Sequence, residues 1–416
     1  MKILKKFTAI TTAAVLLTAG NISILPAGAV SDFVVSASAS DEDVVASGNC
    51  GAEGANLIWT LDSEGTLTIN GEGAMADWEK SATVPWYAYR KDILNVTIEN
   101  DVTSIEKNAF SYCLNLTSIK IPDSVTSIGK NAFENCKALT TITIPDSVIS
   151  IGEYAFKGTG LTTITIPDSI ISIENFVFNY CESLTSITIP ESVTSIGDGA
   201  FSGCEVLTTI TIPESVTSIG NSAFSGCEAL AAITIPDNVI SIQNNVFNGC
   251  SGVTTITIPE RVTSIGNSAF YGCSGLTSIT VPDSVTSIGN SAFYGCEGLT
   301  SITIPDSVTN IGNSAFSGCE GLTSIIIPDS VTSIGNYAFS GCGSLTEVVI
   351  PNGVRTIGYG VFDSCYALET ITVPARVTEI GMNAFQSGVT IITTRGSYAD
   401  TYAQRHSYRG YIIQYQ

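Results

Sequence analysis

The sequence predicts a solenoid: a parallel β-sheet stack with short helical or 3-10 turns, about 13 rungs of 23 residues, capped at both ends. Three observations predict it. The sentence LTSITVPDSVTSIGNSAFYGCEG, Leu276–Gly298, recurs before and after itself with a fixed period. Within it the apolar residues Leu276, Ile279, Val281, Val285, Ile288, Ala292 and Phe293 hold constant places. Pro282, Gly289 and Cys296 recur at fixed offsets between them.

Each part of the unit has a physical reading. Ile279 and Val281 alternate with Thr280, the mark of a strand with one buried face. Pro282 cannot donate to a ladder, so it ends the strand, and Asp283-Ser284 supplies turn chemistry. Val285 to Ile288 forms a second extended piece on the opposite wall. Gly289 is expected to take positive φ at a corner. Asn290 to Phe293 has room for one helical or 3-10 turn. Phe293 fills the interior and Cys296 closes the turn as a small apolar residue. One unit cannot bury its own apolar side, so stability comes from contacts between neighbours.

Taken from the start, residues 1–39 read as an export signal: Lys2, Lys5 and Lys6, an apolar run from Phe7 to Ala19, then small residues, with cleavage after Ala29 or Ala39. That places the protein outside the cell, secreted or associated with the cell surface. Residues 40–92 form an N-terminal cap, with a hairpin from Ile58–Leu61 and Thr66–Ile69 across Asp62-Ser63-Glu64-Gly65. The aromatics Trp78, Trp86, Tyr87 and Tyr89 cover the open end of the stack, or form a patch for a glycan. The solenoid occupies 93–390, with units beginning from Ile93 to Leu368 and the recurring phenylalanine from Phe110 to Phe385. The unit from Leu139 is one residue short at Lys157-Gly158-Thr159-Gly160 and lacks its cysteine, so a local kink is expected there. Residues 391–416 form a C-terminal cap, with a short helix begun by Ser397 and a closing strand at Tyr411-Ile412-Ile413.

The pattern Leu-x-x-Ile-x-Ile-Pro, Val-x-x-Ile-Gly, Ala-Phe-x-x-Cys resembles the leucine-rich repeats of the BspA-like (Treponema pallidum type) bacterial surface proteins. The resemblance implies a leucine-rich repeat solenoid, a cell-surface or secreted location, and adhesion to host matrix proteins or other cells.

Composition narrows the function. The 416 residues carry a formal net charge of −21, with only 13% charged residues, so the surface offers no basic footprint for nucleic acid or anionic lipid. No later segment reads as transmembrane. Eleven cysteines form one column: Cys113, Cys136, Cys181, Cys204, Cys227, Cys250, Cys273, Cys296, Cys319, Cys342 and Cys365. Side chains stacked in parallel suit a disulfide poorly, and a spacing of 23 with one histidine, His406, does not suit zinc. Buried free thiols are the expectation, with neither metal nor cofactor. A carboxylate column follows the proline: Asp123, Asp146, Asp168, Glu191, Glu214, Asp237, Glu260, Asp283, Asp306 and Asp329. Stacked at ~5 Å, neighbours repel by roughly 0.8 kcal/mol even in water, so capping of local backbone N–H groups is expected to offset it, with Ca²⁺ bridging as the alternative.

Identical rungs mark no single catalytic constellation, so the sequence points to a binding protein and not an enzyme. Its partner is expected to be a protein on a host or neighbouring cell. A structural scaffold without a specific ligand is the second reading, and glycan recognition by the N-terminal aromatics the third. The residues that break the Thr/Ser pattern are the candidate contacts: Lys120 early, and Ile326, Glu347, Val349 and Glu369 late, near Arg355, Tyr359, Tyr366 and Arg376.

Overall fold

Each period folds into one turn of a three-walled coil, as the unit Leu276–Gly298 shows in the computed structural model, which describes residues 43–416. The export signal expected at 1–39 lies outside the described residues. The first wall is the strand Ser278–Thr280, whose middle residue Ile279 points inward. It pairs in parallel with Ser301–Thr303 residue for residue, so every side chain stands over its equivalent. At Pro282 the chain turns, and the Val285 N–H closes that turn on the Pro282 carbonyl at 3.0 Å. The second wall is the two-residue strand Ser287–Ile288, paired with Ser264–Ile265.

The third wall corrects two expectations. No helical turn forms at Asn290–Phe293. Instead Ser291 (φ 54°) and Gly295 (φ 68°) take left-handed conformations, which interrupt any i→i+4 ladder. The N–H groups of Ser291, Phe293 and Gly295 donate to Asn313, Ala315 and Ser317 of the next rung at 2.8, 2.7 and 2.8 Å. Gly289 is not a left-handed corner either. A Cβ there would lie 2.7 Å from the Asn267 nitrogen and the Gly266 carbonyl carbon, so close backbone approach between rungs is what requires glycine. Among the described residues, helices occur only near the ends: α1 (Tyr398–Arg405) and 3-10 turns at Ser81–Thr83, Tyr87–Tyr89 and Ser407–Arg409.

Stacking produces about 14 turns. Phenylalanines 5.2–5.7 Å apart fill the axis from Phe133 to Phe362, with interplanar angles of 13° or less. The extra turn lies before Ile93. Strand β1 (Val44–Gly51) pairs antiparallel with β2 (Gly54–Asp62), and β2 antiparallel with β3 (Thr66–Gly71). β3 then pairs in parallel with Asn95–Ile98, so the hairpin's second strand already belongs to the stack. Trp86, 1% exposed, stands in the phenylalanine column 5.8 Å from Phe110, and its Nε1–H donates to the Ala109 carbonyl at 2.7 Å. Trp59 and Trp78 pack edge-on against it and are buried, so no indole face is presented to a glycan at this end.

At the other end Thr390–Thr393 pairs in parallel with Ile412–Tyr415. Between them runs α1, whose cap Ser397 accepts the Asp400 N–H at 3.1 Å. Tyr402 packs edge-on against Phe385 and is buried there.

In the short rung, Thr159 occupies the cysteine position and is buried. The missing residue follows it. Strand pairing on the first wall stops at Ser118–Lys120 and resumes at Thr163–Thr165, as it also lapses between Thr209–Thr211 and Ala232–Thr234, and the stack continues through both.

Candidate binding surface

What each wall offers a partner follows from which polar groups the stack itself consumes. On the first wall the threonine before the strand is consumed: Thr277 Oγ1 donates to the Thr254 carbonyl and Thr300 Oγ1 to Thr277, both at 3.2 Å. The next outward side chains, Ser278 and Thr280, stay exposed and repeat with little change.

Beyond the proline the work falls to serine, not to the carboxylate. Ser307 donates to the Val285 carbonyl at 2.5 Å and Ser330 to Val308 at 2.7 Å, one rung back in each case. Of the ten carboxylates, Glu214 accepts the Asp237 N–H at 3.2 Å and Asp329 the Asn352 N–H at 3.1 Å. The expected capping is therefore restricted to these two, and it is directed to the next rung, not to the local turn. The other carboxylates of the column project into solvent, where water and salt screen their repulsion. Among the described residues no group of three His, Cys, Asp or Glu side chains could hold a metal ion.

All twelve cysteines are free and buried. In the column, each thiol from Cys136 onward donates to a phenylalanine carbonyl one rung back, as Cys296 does to Phe270 at 3.2 Å. Burial pushes the Cys273 thiol up to about 12 and Cys296 well above its ordinary value. Such thiols are hydrogen-bond donors, not nucleophiles. In the short rung Thr159 turns instead to its own rung: its Oγ1 donates to the Phe156 carbonyl at 2.8 Å and lies 3.3 Å from Cys181 Sγ.

The structure adds a second ladder, of asparagines. Asn267, Asn290, Asn313 and Asn336 each accept the N–H of the equivalent residue one rung on, at 2.8 Å every time. The signal was there in the recurring Gly-Asn pair.

The candidate contacts divide by wall. Ile326, Glu347 and Val349 come together on the first wall, in a groove of about 660 Å³ that runs to Gln416. Ile326 is 78% and Val349 61% exposed. Ile326 is bridged to Thr303 and Val349 pairs with Thr372, while among the described residues no strand pairing joins the two. The groove lies over this break. Glu369 stands beside it at the start of its rung and gives its N–H to Thr346. Arg355 turns back on its own corner, donating to the Asn352 and Gly353 carbonyls at 2.8 and 3.2 Å. Arg376 is exposed after the following proline, Tyr359 is exposed on the third wall, and Tyr366, 78% exposed, follows Cys365. Lys120 sits nine rungs earlier on the first wall. The nine residues are thus not one site, and only three share the groove. His406 is confined to the C-terminal end, its Nδ1 2.9 Å from the Tyr402 carbonyl.

Comparison with known proteins agrees with this architecture. A sequence profile described as "BspA type Leucine rich repeat region (6 copies)" matches residues 84–204, 149–277 and 263–392. The fold is similar to that of a leucine-rich repeat protein from Bacteroides ovatus ATCC 8483, at 27% identity and TM-score 0.64, covering 82% of this chain and 98% of that one. It is similar to one from Eubacterium ventriosum ATCC 27560, at 28% identity and TM-score 0.56, covering 82% and 94%. It is also similar to a leucine rich cell surface protein from Faecalibacterium prausnitzii A2-165, at 30% identity and TM-score 0.51, covering 84% and 95%. No curated protein matches the chain.

Proposed function

The chain belongs to the BspA-type leucine-rich repeat family, and from that premise we propose that it is an exported adhesin-like binding protein that captures a protein of a host or neighbouring cell. One observation carries the reading: the groove holding Ile326, Glu347 and Val349, where two exposed aliphatic side chains replace threonine on a wall that is mostly hydroxyl-lined. A contiguous apolar spot on a polar face marks a place where burial by a partner is favourable. Solenoids of this kind serve generally as scaffolds, not enzymes. The cell-surface description of the F. prausnitzii protein supports a location at or beyond the surface. Among the described residues no helix is long and apolar enough to cross a membrane. In this reading residues 1–39 direct export, 40–92 and 391–416 close the ends, and 93–390 present the binding wall.

The test uses the chain from Ser40, immobilised and challenged with host matrix proteins. Capture is expected, and the double variant Ile326→Asp, Val349→Asp should weaken it by about tenfold or more, the cost of placing two charges in a desolvated contact. Capture that the double variant leaves unchanged would refute this placement.

A further inference from the structure

The short rung is one residue tighter than its neighbours. Gly160 keeps the close approach to the preceding rung that Gly252 and Gly275 make in regular rungs, a Cβ there lying 2.2 Å from the Lys137 carbonyl oxygen, but it follows Thr159 directly. Beside this contact the surface opens into a notch of about 360 Å³. That lies within the roughly 300–1,000 Å³ range of small-molecule sites. Its rim is built from Asn135, Lys137, Lys157, Tyr180, Glu182 and Ser183.

Three properties of this rim point to one chemistry. First, it carries an aromatic platform. Tyr180 is 55% exposed, and its ring rests on the next rung at Gly203, where a Cβ would come within 2.6 Å of it. The ring is therefore held in place and still open on the notch side. Secondly, the polar groups are of both kinds. Lys137 and Lys157 are donors, Glu182 is an acceptor, and Asn135 and Ser183 are both. Thirdly, this capacity is largely unspent. Among the described residues the side chains of Asn135, Lys137, Glu182 and Ser183 make no hydrogen bond or ion pair, while Lys157 meets Glu134 at 3.2 Å. Lys137 and Lys157 are the last of the lysines that the early rungs carry, after Lys107, Lys120 and Lys130; from 158 to 354 the sequence has a single cation, Arg261.

We propose that this notch binds a single neutral pyranose residue of a glycan. Each sugar hydroxyl both donates and accepts, so it can bridge an ammonium and a carboxylate that lie too far apart to pair directly. The apolar C–H face of the ring packs on Tyr180, as amphipathic aromatics permit. The site is independent of the protein-binding groove, which lies on rungs near the other end of the stack.

The experiment is saturation-transfer NMR and calorimetry on the full chain with methyl glucoside, galactoside, mannoside and N-acetylglucosaminide, and with methyl glucuronide and glucose sulfate as charged controls. At least one neutral pyranoside is expected to bind with a dissociation constant of about a millimolar, weakened about tenfold by Tyr180→Ala and by Glu182→Gln. A further variant, Thr159→Cys with one residue inserted after Gly160, regularises the rung and should abolish binding while leaving the far-UV spectrum intact. Neutral pyranosides that stay silent into the tens of millimolar, or binding that survives both Tyr180→Ala and Glu182→Gln, would overturn the proposal. A response to the charged controls alone would also overturn it, by showing an anion site on the lysines.

Discussion

A Cβ at Gly289 would press on backbone, which cannot rotate away as a side chain can. Gly289→Ala therefore has to separate two rungs, at a cost of about 1–3 kcal/mol. Gly343, whose added Cβ would meet nothing within 4 Å, is the internal control, and Gly343→Ala should stay within about 0.5 kcal/mol of the parent. Urea denaturation of both variants decides the matter, and equal midpoints would show that the rungs are not in backbone contact at this position. The same comparison shows what could be read from the sequence. That a glycine recurs between Ile288 and Asn290 was plain, and so was its need for a missing Cβ. Why it was needed was not, because spacing alone does not separate positive φ from close approach. The residues with positive φ are Ser291, Asn245 and Tyr337 as well as glycines, and that mixture hides the signal.

At the scale of the element, the first turn of the stack was hidden by an insertion. β3 stands 29 residues before its partner strand, since Leu67 pairs with Val96, whereas Trp86 stands only 24 before Phe110. The strand and the plug of one rung thus obey different offsets, neither of them the period. The regular rungs were legible because each side chain packs on a copy of itself. The ends were less so, because they pack on something unlike themselves. The candidate contacts fared likewise: deviation from the repeat singled out Ile326 and Val349, but whether deviants share a wall depends on position within the rung. All three tryptophans, Trp59, Trp78 and Trp86, lie in the N-terminal turn, so fluorescence reports that end and circular dichroism the whole stack. Removing the ring beneath Trp86 by Phe110→Ala should cost about 3–5 kcal/mol locally. Because rungs touch only their neighbours, the loss stays near that end. The fluorescence transition in urea should then precede the dichroism transition. Coincident transitions would mean that the stack melts as one unit in spite of its one-dimensional contacts.

For the whole molecule, the cysteine column couples stability to alkaline pH. Burial raises Cys50, Cys113, Cys273, Cys319 and Cys365 from an ordinary value of 9.0 to about 12, and Cys181, where hydrogen bonds from Thr159 oppose the rise, to about 11. The remaining column thiols shift the same way, because an unsolvated thiolate is costlier than a neutral thiol. The folded chain therefore holds these protons after the unfolded chain has begun to release them. Their contribution is complete below pH 9.0 and is lost as pH rises through the window from 9.0 towards 12. Each buried thiol then adds a slope on the order of 1.4 kcal/mol per pH unit. With many thiols in register, urea midpoints measured above pH 9 should fall steeply. The triple variant Cys250→Ala, Cys273→Ala, Cys296→Ala should be less stable at neutral pH, through lost packing and lost bonds to Phe224, Phe247 and Phe270, and yet show a shallower alkaline decline. The difference between the two slopes isolates the thiols from tyrosine and lysine titration, which both proteins share. Parallel slopes would mean that the column is solvated, and that its sulfurs do not sit in the dry axis that the phenylalanines define.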